Sequence, residues 1–240
     1  MSERSTIHGG GAFPETHWAL VCDLASSRAE RGRGLERLAA LYWQPICLYL
    51  RQAVRVEREE SKDLTQAFFA WLVDAPVLER YDPGQGTFRA YLKGVLRNYV
   101  RNERTRQRAQ KRGGGRAFAA LGDLGLDDLP DPAATDPEQA FDLAWVQGLI
   151  ARATERVRAQ LRAEGEGAQL AAFEAYDMAP PGAQPTYASV AEDLGQTARA
   201  VRHALTKTRE RVRAEVRAEL RDTVRTPDQL DGEWRALFGA

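Results

Sequence analysis

The stretch FRAYLKGVLRNYVRNERTRQRAQKR, Phe88 to Arg112, decides how the rest of the chain is read. At helical spacing Phe88, Tyr91, Leu92, Val95, Leu96 and Tyr99 fall on one side. Arg89, Lys93, Arg97, Arg101, Arg104 and Arg108 form a stripe on the other, and Asn98 and Asn102 lie a turn apart near the border. Only Glu103 offsets the positive charge. Guanidinium groups suit phosphates, rings suit stacking and amides suit base edges, so the helix is fitted to a nucleic-acid strand. The competing reading is a solvated helix face.

Upstream, Tyr81-Asp82-Pro83-Gly84-Gln85-Gly86 must end any earlier helix, and Thr87 is placed to cap the basic one. Before that loop, Phe13 to Leu24 and Leu35 to Val54 read as helical, the latter with Leu38, Leu41, Tyr42, Ile46 and Leu50 in phase; Glu60 to Leu72 sets Leu64, Phe68 and Leu72 on one side. Downstream, Gly113-Gly114-Gly115 stops the basic helix, and LGDLGLDDLPDPAAT, without a period, reads as an extended acidic linker. A new helix starts with Asp136 as cap, Pro137 at its first position and Glu138 in the first turn, and carries Phe141, Trp145, Leu149, Ala153, Val157 and Leu161. A shorter helix spans about Ala168 to Tyr176, and a final helical block runs from about Thr186 to Val224. No segment reads as a strand. The expected fold is all-α: a disordered start (1–12), a helical bundle (13–115), an acidic flexible linker (116–135), a helix-turn-helix domain (136–225) and a tail (226–240). In that tail Leu230, Trp234 and Leu237 suit a short helix that docks back on the second domain or meets a partner.

Within YASVAEDLGQTARAVRHALTKTRER the helix-turn-helix frame rests on Ala191, small where two helices approach, Gly195 at the turn and Val201 beyond it. Val190, Leu194, Val201 and Leu205 close its core, while Gln196 is polar where many such turns are apolar. The second helix presents Arg199, Arg202, His203, Thr206 and Lys207, and Arg209, Arg211 and Arg213 continue the charge, as a helix entering the major groove would. A plain helical hairpin with a cationic surface is the alternative.

The net charge is zero, 34 basic against 34 acidic side chains, but the charge is segregated. Cations collect at Arg97 to Arg116 and Arg199 to Arg217, and Asp123, Asp127, Asp128, Asp131 and Asp136 make the middle acidic. Cys22 and Cys47 form no CxxC pair, so neither a disulfide framework nor a zinc site is implied, and no cofactor is expected. No apolar run approaches a membrane span and MSERSTIHGGG lacks the apolar core of a signal peptide, so a cytoplasmic protein is expected.

Two basic helices of different build, joined by an acidic linker, resemble the two-domain sigma factors of bacterial RNA polymerase, of the extracytoplasmic-function type. YWQPICLYLR, EESKDLTQAFFAWLV and YDPGQGTFRAYLKGVLRNYVRN resemble that family's region 2; YASVAEDLGQTARAVRHALTKTRERVR resembles its region 4; and FPETHWALV is similar to the opening of a subgroup. The resemblance implies that Asp63, Leu64, Gln66, Phe69 and Leu72 contact the clamp helices of the polymerase's largest subunit, with the flap of the second-largest subunit as a further contact. It implies that Tyr81, Phe88, Arg89, Tyr91, Asn98 and Asn102, with the cations Lys93, Arg97, Arg101 and Arg104, bind and open the minus-10 element. Arg199, Arg202, His203, Thr206, Lys207 and Arg209 would read the minus-35 element, and the linker carboxylates would stand in for RNA phosphates in the polymerase's exit channel. Implied partners are core RNA polymerase and promoter DNA, with an anti-sigma factor or a protein kinase as candidate regulators. One departure is Lys62, in Glu60-Ser61-Lys62-Asp63, where the family often carries an acid. Phosphorylation of Ser61 or Thr65 would restore negative charge there.

An enzyme fits poorly: His8, His17 and His203 are scattered, and no HExxH, phosphate loop or nucleophile elbow occurs. A stand-alone helix-turn-helix regulator leaves the basic aromatic helix and the DLTQ segment unexplained. An adaptor that never touches DNA leaves the arginine stripe without a role.

Overall fold

The structure, a computed structural model, describes residues 28–82, 84–110, 136–180 and 182–239, with side chains from residue 34 onward except those of 106–110. The expectations for the N-terminal segment to Leu24, the glycine stop and the acidic linker lie outside these residues, as does the side chain of Arg108. The described residues are helical with no strand, as expected for an all-α chain. The helices are α1 (Arg28–Val54), α2 (Arg58–Asp74), α3 (Phe88–Gln110), α4 (Pro137–Ala163), α5 (Gly167–Asp177), α6 (Tyr187–Asp193), α7 (Ala198–Arg221) and α8 (Pro227–Phe238), and a 3-10 turn at Leu78–Arg80 follows α2. None of them is long and apolar enough to cross a membrane.

Periodicity explains the main core. Leu38, Tyr42, Ile46, Tyr49 and Leu50 of α1 meet Phe68, Phe69 and Leu72 of α2 and Phe88, Leu92, Val95, Leu96 and Val100 of α3. Phe141, Trp145, Leu149 and Ala153 of α4 belong to the same cluster, although the expected partition assigns α4 to the second domain. The aromatic Tyr42 stands between the halves, edge-on to Phe88 at 5.7 Å and stacked on Phe141 at 6.3 Å. Small residues allow close approach elsewhere along this seam, where Ala140 and Ala144 pack on Leu48.

Helix α7 ties the small core to the large one. It has 24 residues, which at the helical rise is about 36 Å. Val201 and Leu205 in its first half close the helix-turn-helix core with Ala172, Phe173, Val190 and Ala191, whereas Val216 and Leu220 enter the main cluster. The tail helix docks on that main cluster too: Leu230 is buried in it and Trp234, Leu237 and Phe238 pack against it. The sequence leaves open docking on the second domain or a contact for a partner; the helix sits against the main cluster, which includes residues of α4 and α7. The observed seat also covers the first turn of α3, because Glu233 bonds to Arg89.

Helix ends follow local chemistry. Thr87, Thr186, Thr197 and Thr226 each accept a hydrogen bond from a first-turn amide. Asp136 occupies the N-cap of α4 with Pro137 beside it, but its carboxylate makes no capping bond; its contribution is negative charge at the positive end of the helix.

Candidate nucleic-acid interface

Helix α3 is aimed by the loop before it. Asp82 accepts from the Gly84 amide at 2.8 Å and from Gln85 Nε2 at 3.1 Å, and the Tyr81 hydroxyl donates to the Gly86 carbonyl at 3.1 Å. Burial pushes the Tyr81 phenol up to about 12 and also raises that of Tyr91, whose hydroxyl donates to the Val77 carbonyl. Phe88, expected on the strand-facing surface, is fully buried against Tyr42 and Tyr81, because the first apolar residue after the loop plugs the core. Its ring is not available to a base here.

The cationic stripe divides into a covered and an open part. Arg89 is a buried residue: its Nη2 donates to Glu233 at 2.5 Å and its Nε at 3.2 Å, its Nη1 pairs with Asp142, and its guanidinium lies 5.7 Å from the centre of the Trp145 ring. Burial works against that charge, but Glu233 and Asp142 outweigh it and hold Arg89 above the ordinary arginine range. One and two turns on, Lys93 pairs with Asp142 at 2.9 Å and Glu138 at 3.6 Å, and Arg97 pairs with Glu138. The spacing i, i+4, i+8 on α3 thus meets i, i+4 on α4. Arg89 and Lys93, expected to contact DNA, are occupied and shielded in this conformation; Arg97 keeps a side chain 59% exposed.

Beyond Arg97 the helix is open. Asn98, Arg101 and Asn102 are exposed, and with Trp71, Tyr91 and Tyr99 they line a cavity of about 460 Å³. Trp71 and Tyr99 pack at 5.1 Å, forming an aromatic wall beside the two amides. A second cavity, about 470 Å³, lies between Tyr49, Ala53 and the arginines Arg97, Arg101 and Arg104, the last of which donates to the Ala53 carbonyl. Trp71 and Arg80, which also lines the first cavity, were missed in the sequence, since Trp71 sits among core residues of α2 and Arg80 in a short turn. The arrangement offers stacking, amide bonding and phosphate pairing within two helical turns.

The second surface is built by the turn between α6 and α7. Gly195 adopts φ +62°, the Gln196 amide reaches back to Ala191 at 2.8 Å and the Gly195 amide to Glu192 at 3.2 Å, the paired bonds of a Schellman ending. Gln196 therefore contributes through its backbone, and its polar side chain does not disturb the frame. The same ending closes α4, where Gly165 has φ +74° and the Glu166 amide bonds to Leu161 at 2.9 Å. Arg199, Arg202, His203 and Thr206 are exposed on the outer face of α7. Arg202 lies 5.5 Å over Tyr187, and the Thr206 hydroxyl donates to the Arg202 carbonyl at 3.0 Å. Two expected members are tethered. Lys207 is half-buried beside Glu166 at 3.6 Å, and Arg209 makes a two-pronged contact with Asp177 at 2.6 and 2.9 Å over the ring of Tyr176. Hydrogen bonding to Asp177 raises the Arg209 pKa. Tyr176 and Tyr187 stack at 4.6 Å, a platform under the cations that the sequence reading did not pick out.

On α2 the expected polymerase-contacting set splits by burial. Asp63, Leu64 and Gln66 are half-buried, whereas Phe69 and Leu72 are buried core residues, Phe69 stacked on Trp43 at 5.6 Å. Helical phase explains this: Phe69 and Leu72 fall on the inward side with Thr65 and Phe68. Ser61 and Thr65 also face inward, Ser61 donating to the Arg58 carbonyl at 2.6 Å beside Cys47 and Thr65 donating to the Ser61 carbonyl at 2.7 Å. Neither hydroxyl is open to a kinase in this conformation. Lys62 pairs with Glu59 at 3.0 Å, its side chain 14% exposed. Comparison with family models, curated proteins and solved structures returned no match.

Proposed function

We propose that this chain is a promoter-directing initiation subunit of the sigma type: it binds core RNA polymerase, α7 reads duplex DNA upstream, and α3 engages the strand that opens downstream. The chemistry of transcription would be the polymerase's. The observation that carries this reading is the cavity in which Asn98 and Asn102 stand beside Trp71, Tyr99 and Arg101. Amides, rings and a cation on one open helix face suit an unpaired base and its phosphate, a surface that duplex reading by a helix-turn-helix does not require. Opening a base step costs roughly a few kcal/mol, which stacking and pairing with a cation can offset. The half-buried Asp63, Leu64 and Gln66 supply the surface for core polymerase, and Arg199, Arg202, His203 and Thr206 supply direct readout.

In vitro transcription with core polymerase of the source organism on genomic fragments tests the proposal. Promoter-specific transcripts that depend on the added protein are expected. Absence of such transcripts together with absence of core binding overturns it. A second reading, a stand-alone helix-turn-helix regulator, is favoured by the occupation of Arg89 and Lys93 by acids of the same chain. Duplex binding that is specific without polymerase, and unchanged by it, would select that reading.

A further inference from the structure

The acids that cover the stripe are placed in a way that composition alone would not produce. Glu138 and Asp142 lie on α4 and Glu233 on α8, and all of them converge on the same face of α3. Glu233 is buried on the apolar side of α8, between Leu230 and Trp234, where Arg89 meets it. The tail helix is itself held by surface-exposed contacts, Arg217 to Asp231 at 2.6 Å and Arg217 over Trp234 at 5.7 Å, beside the seat of Leu230. Exposed contacts of this kind on a short helix hold it weakly and open more readily than the buried core.

We infer that this is a closed, nucleic-acid-excluding form, in which Glu138, Asp142 and Glu233 take the positions that strand phosphates would take on Arg89, Lys93 and Arg97. Helix α8 is the releasable part. Its departure removes Glu233 and leaves Arg89 facing outward with Asp142 as its remaining acid, so that a strand already held at Arg101 and the Asn98–Asn102 cavity can extend along the stripe. The inference rests on the proposed role of α3 in strand binding. It adds that the chain restrains this role by itself and that release of α8 and strand binding are linked, each favouring the other.

The test uses the full chain and a fluorescent single-stranded oligodeoxynucleotide of mixed sequence at low salt. The variant Glu138→Gln/Asp142→Asn/Glu233→Gln is expected to bind at least about tenfold more tightly than the parent. A control variant, Glu36→Gln/Glu57→Gln/Asp74→Asn, removes the same charge at exposed positions elsewhere; an equal gain in the control overturns the inference, because general repulsion then accounts for it. Tight binding by the parent that the triple variant does not improve also overturns it, while leaving strand binding by α3 intact. If neither protein binds, the role of α3 falls and the inference falls with it. Should the triple variant not fold, hydrogen exchange on the unmodified chain decides: amides of 230–238 are expected to exchange faster when the oligonucleotide is bound, and unchanged or slower exchange overturns the inference.

Discussion

Arg89 and Glu233 lie 144 positions apart and meet at 2.5 Å, with side chains 8% and 6% exposed. Glu233 relies on Arg89, whereas Arg89 also meets Asp142. Removing one partner of a buried ion pair leaves an uncompensated charge at a cost of about 3 to 5 kcal/mol, while replacing both with apolar groups of similar volume is often neutral. Arg89→Ala strands the buried Glu233 and should lower the free energy of unfolding by about that amount; Glu233→Ala should cost less, because Asp142 still pairs with Arg89; and Arg89→Met/Glu233→Met should recover most of the Arg89→Ala loss. Urea denaturation without nucleic acid measures both. Simply additive losses in the double variant would show that the pair is not coupled in solution.

The turn between α6 and α7 gives a second stability test. A Cβ on Gly195 would meet nothing within 4 Å, so any cost of Gly195→Ala comes from the backbone at φ +62°. A left-handed conformation costs an L-residue about 1 to 2 kcal/mol, less for asparagine. Thermal melting should therefore rank the parent above Gly195→Asn and that above Gly195→Ala. An alanine variant as stable as the parent would mean that the turn is not left-handed.

What the sequence made legible is local. Ala191, Gly195 and Val201 lie within one short segment, and the two helices and the tight turn they mark form there because that turn and its small core depend on neighbours in the chain. The basic helix, its Thr87 cap and the amide pair were legible for the same reason. Which cations face solvent was not, since the answer depends on Glu233 and Asp142, far away in sequence. A signal existed. Glu233 stands in the apolar phase of Leu230, Trp234 and Leu237, and Asp142 directly follows Phe141 with Trp145 three residues on; a carboxylate in an apolar stripe requires a cation opposite. Nothing in the stripe itself distinguishes Arg89 from Arg101, because helical phase orders residues around an axis and does not say which neighbour arrives.

The buried phenols set an alkaline limit. Burial pushes Tyr81 up to about 12 and Tyr42 still higher, from an ordinary value near 10. In the unfolded chain these hydroxyls lose their protons near pH 10, but in the folded protein they keep them, so the unfolded state binds fewer protons in this window. The contribution of Tyr81 is fully present below pH about 10 and is lost as pH rises through about 12. Denaturation followed from pH 8 to 12 should show stability falling above 10, with a shallower fall in Tyr81→Phe. An identical slope in the variant would show that Tyr81 titrates normally.

Within the proposed function, the Asn98–Asn102 cavity separates strand handling from duplex docking. Asn98 is exposed and lines a cavity walled by Trp71 and Tyr99, so its loss should leave the fold intact. Asn98→Ala should impair open-complex formation more than closed-complex binding, as read by permanganate footprinting against gel shift. Equal loss in both assays contradicts a role in melting.

Arg202 and Arg209, two turns apart on α7, are expected to behave differently because their surroundings differ. Arg202 is exposed over the Tyr187 ring, whereas Arg209 is tied to Asp177 and Tyr176. A good bidentate base contact is worth about 1 to 3 kcal/mol of discrimination. Arg202→Ala should relax preference at one base position by that amount, and leave binding to already mismatched sites nearly unchanged. Arg209→Ala removes an exposed ion pair, costs at most about 1 kcal/mol of stability and should weaken binding evenly over all sequences. Competition binding against single-position variants of a selected site, repeated over a salt series, separates the two. A uniform loss with Arg202→Ala, accompanied by a reduced salt slope, would make Arg202 a phosphate contact and move base reading to Arg199 and His203.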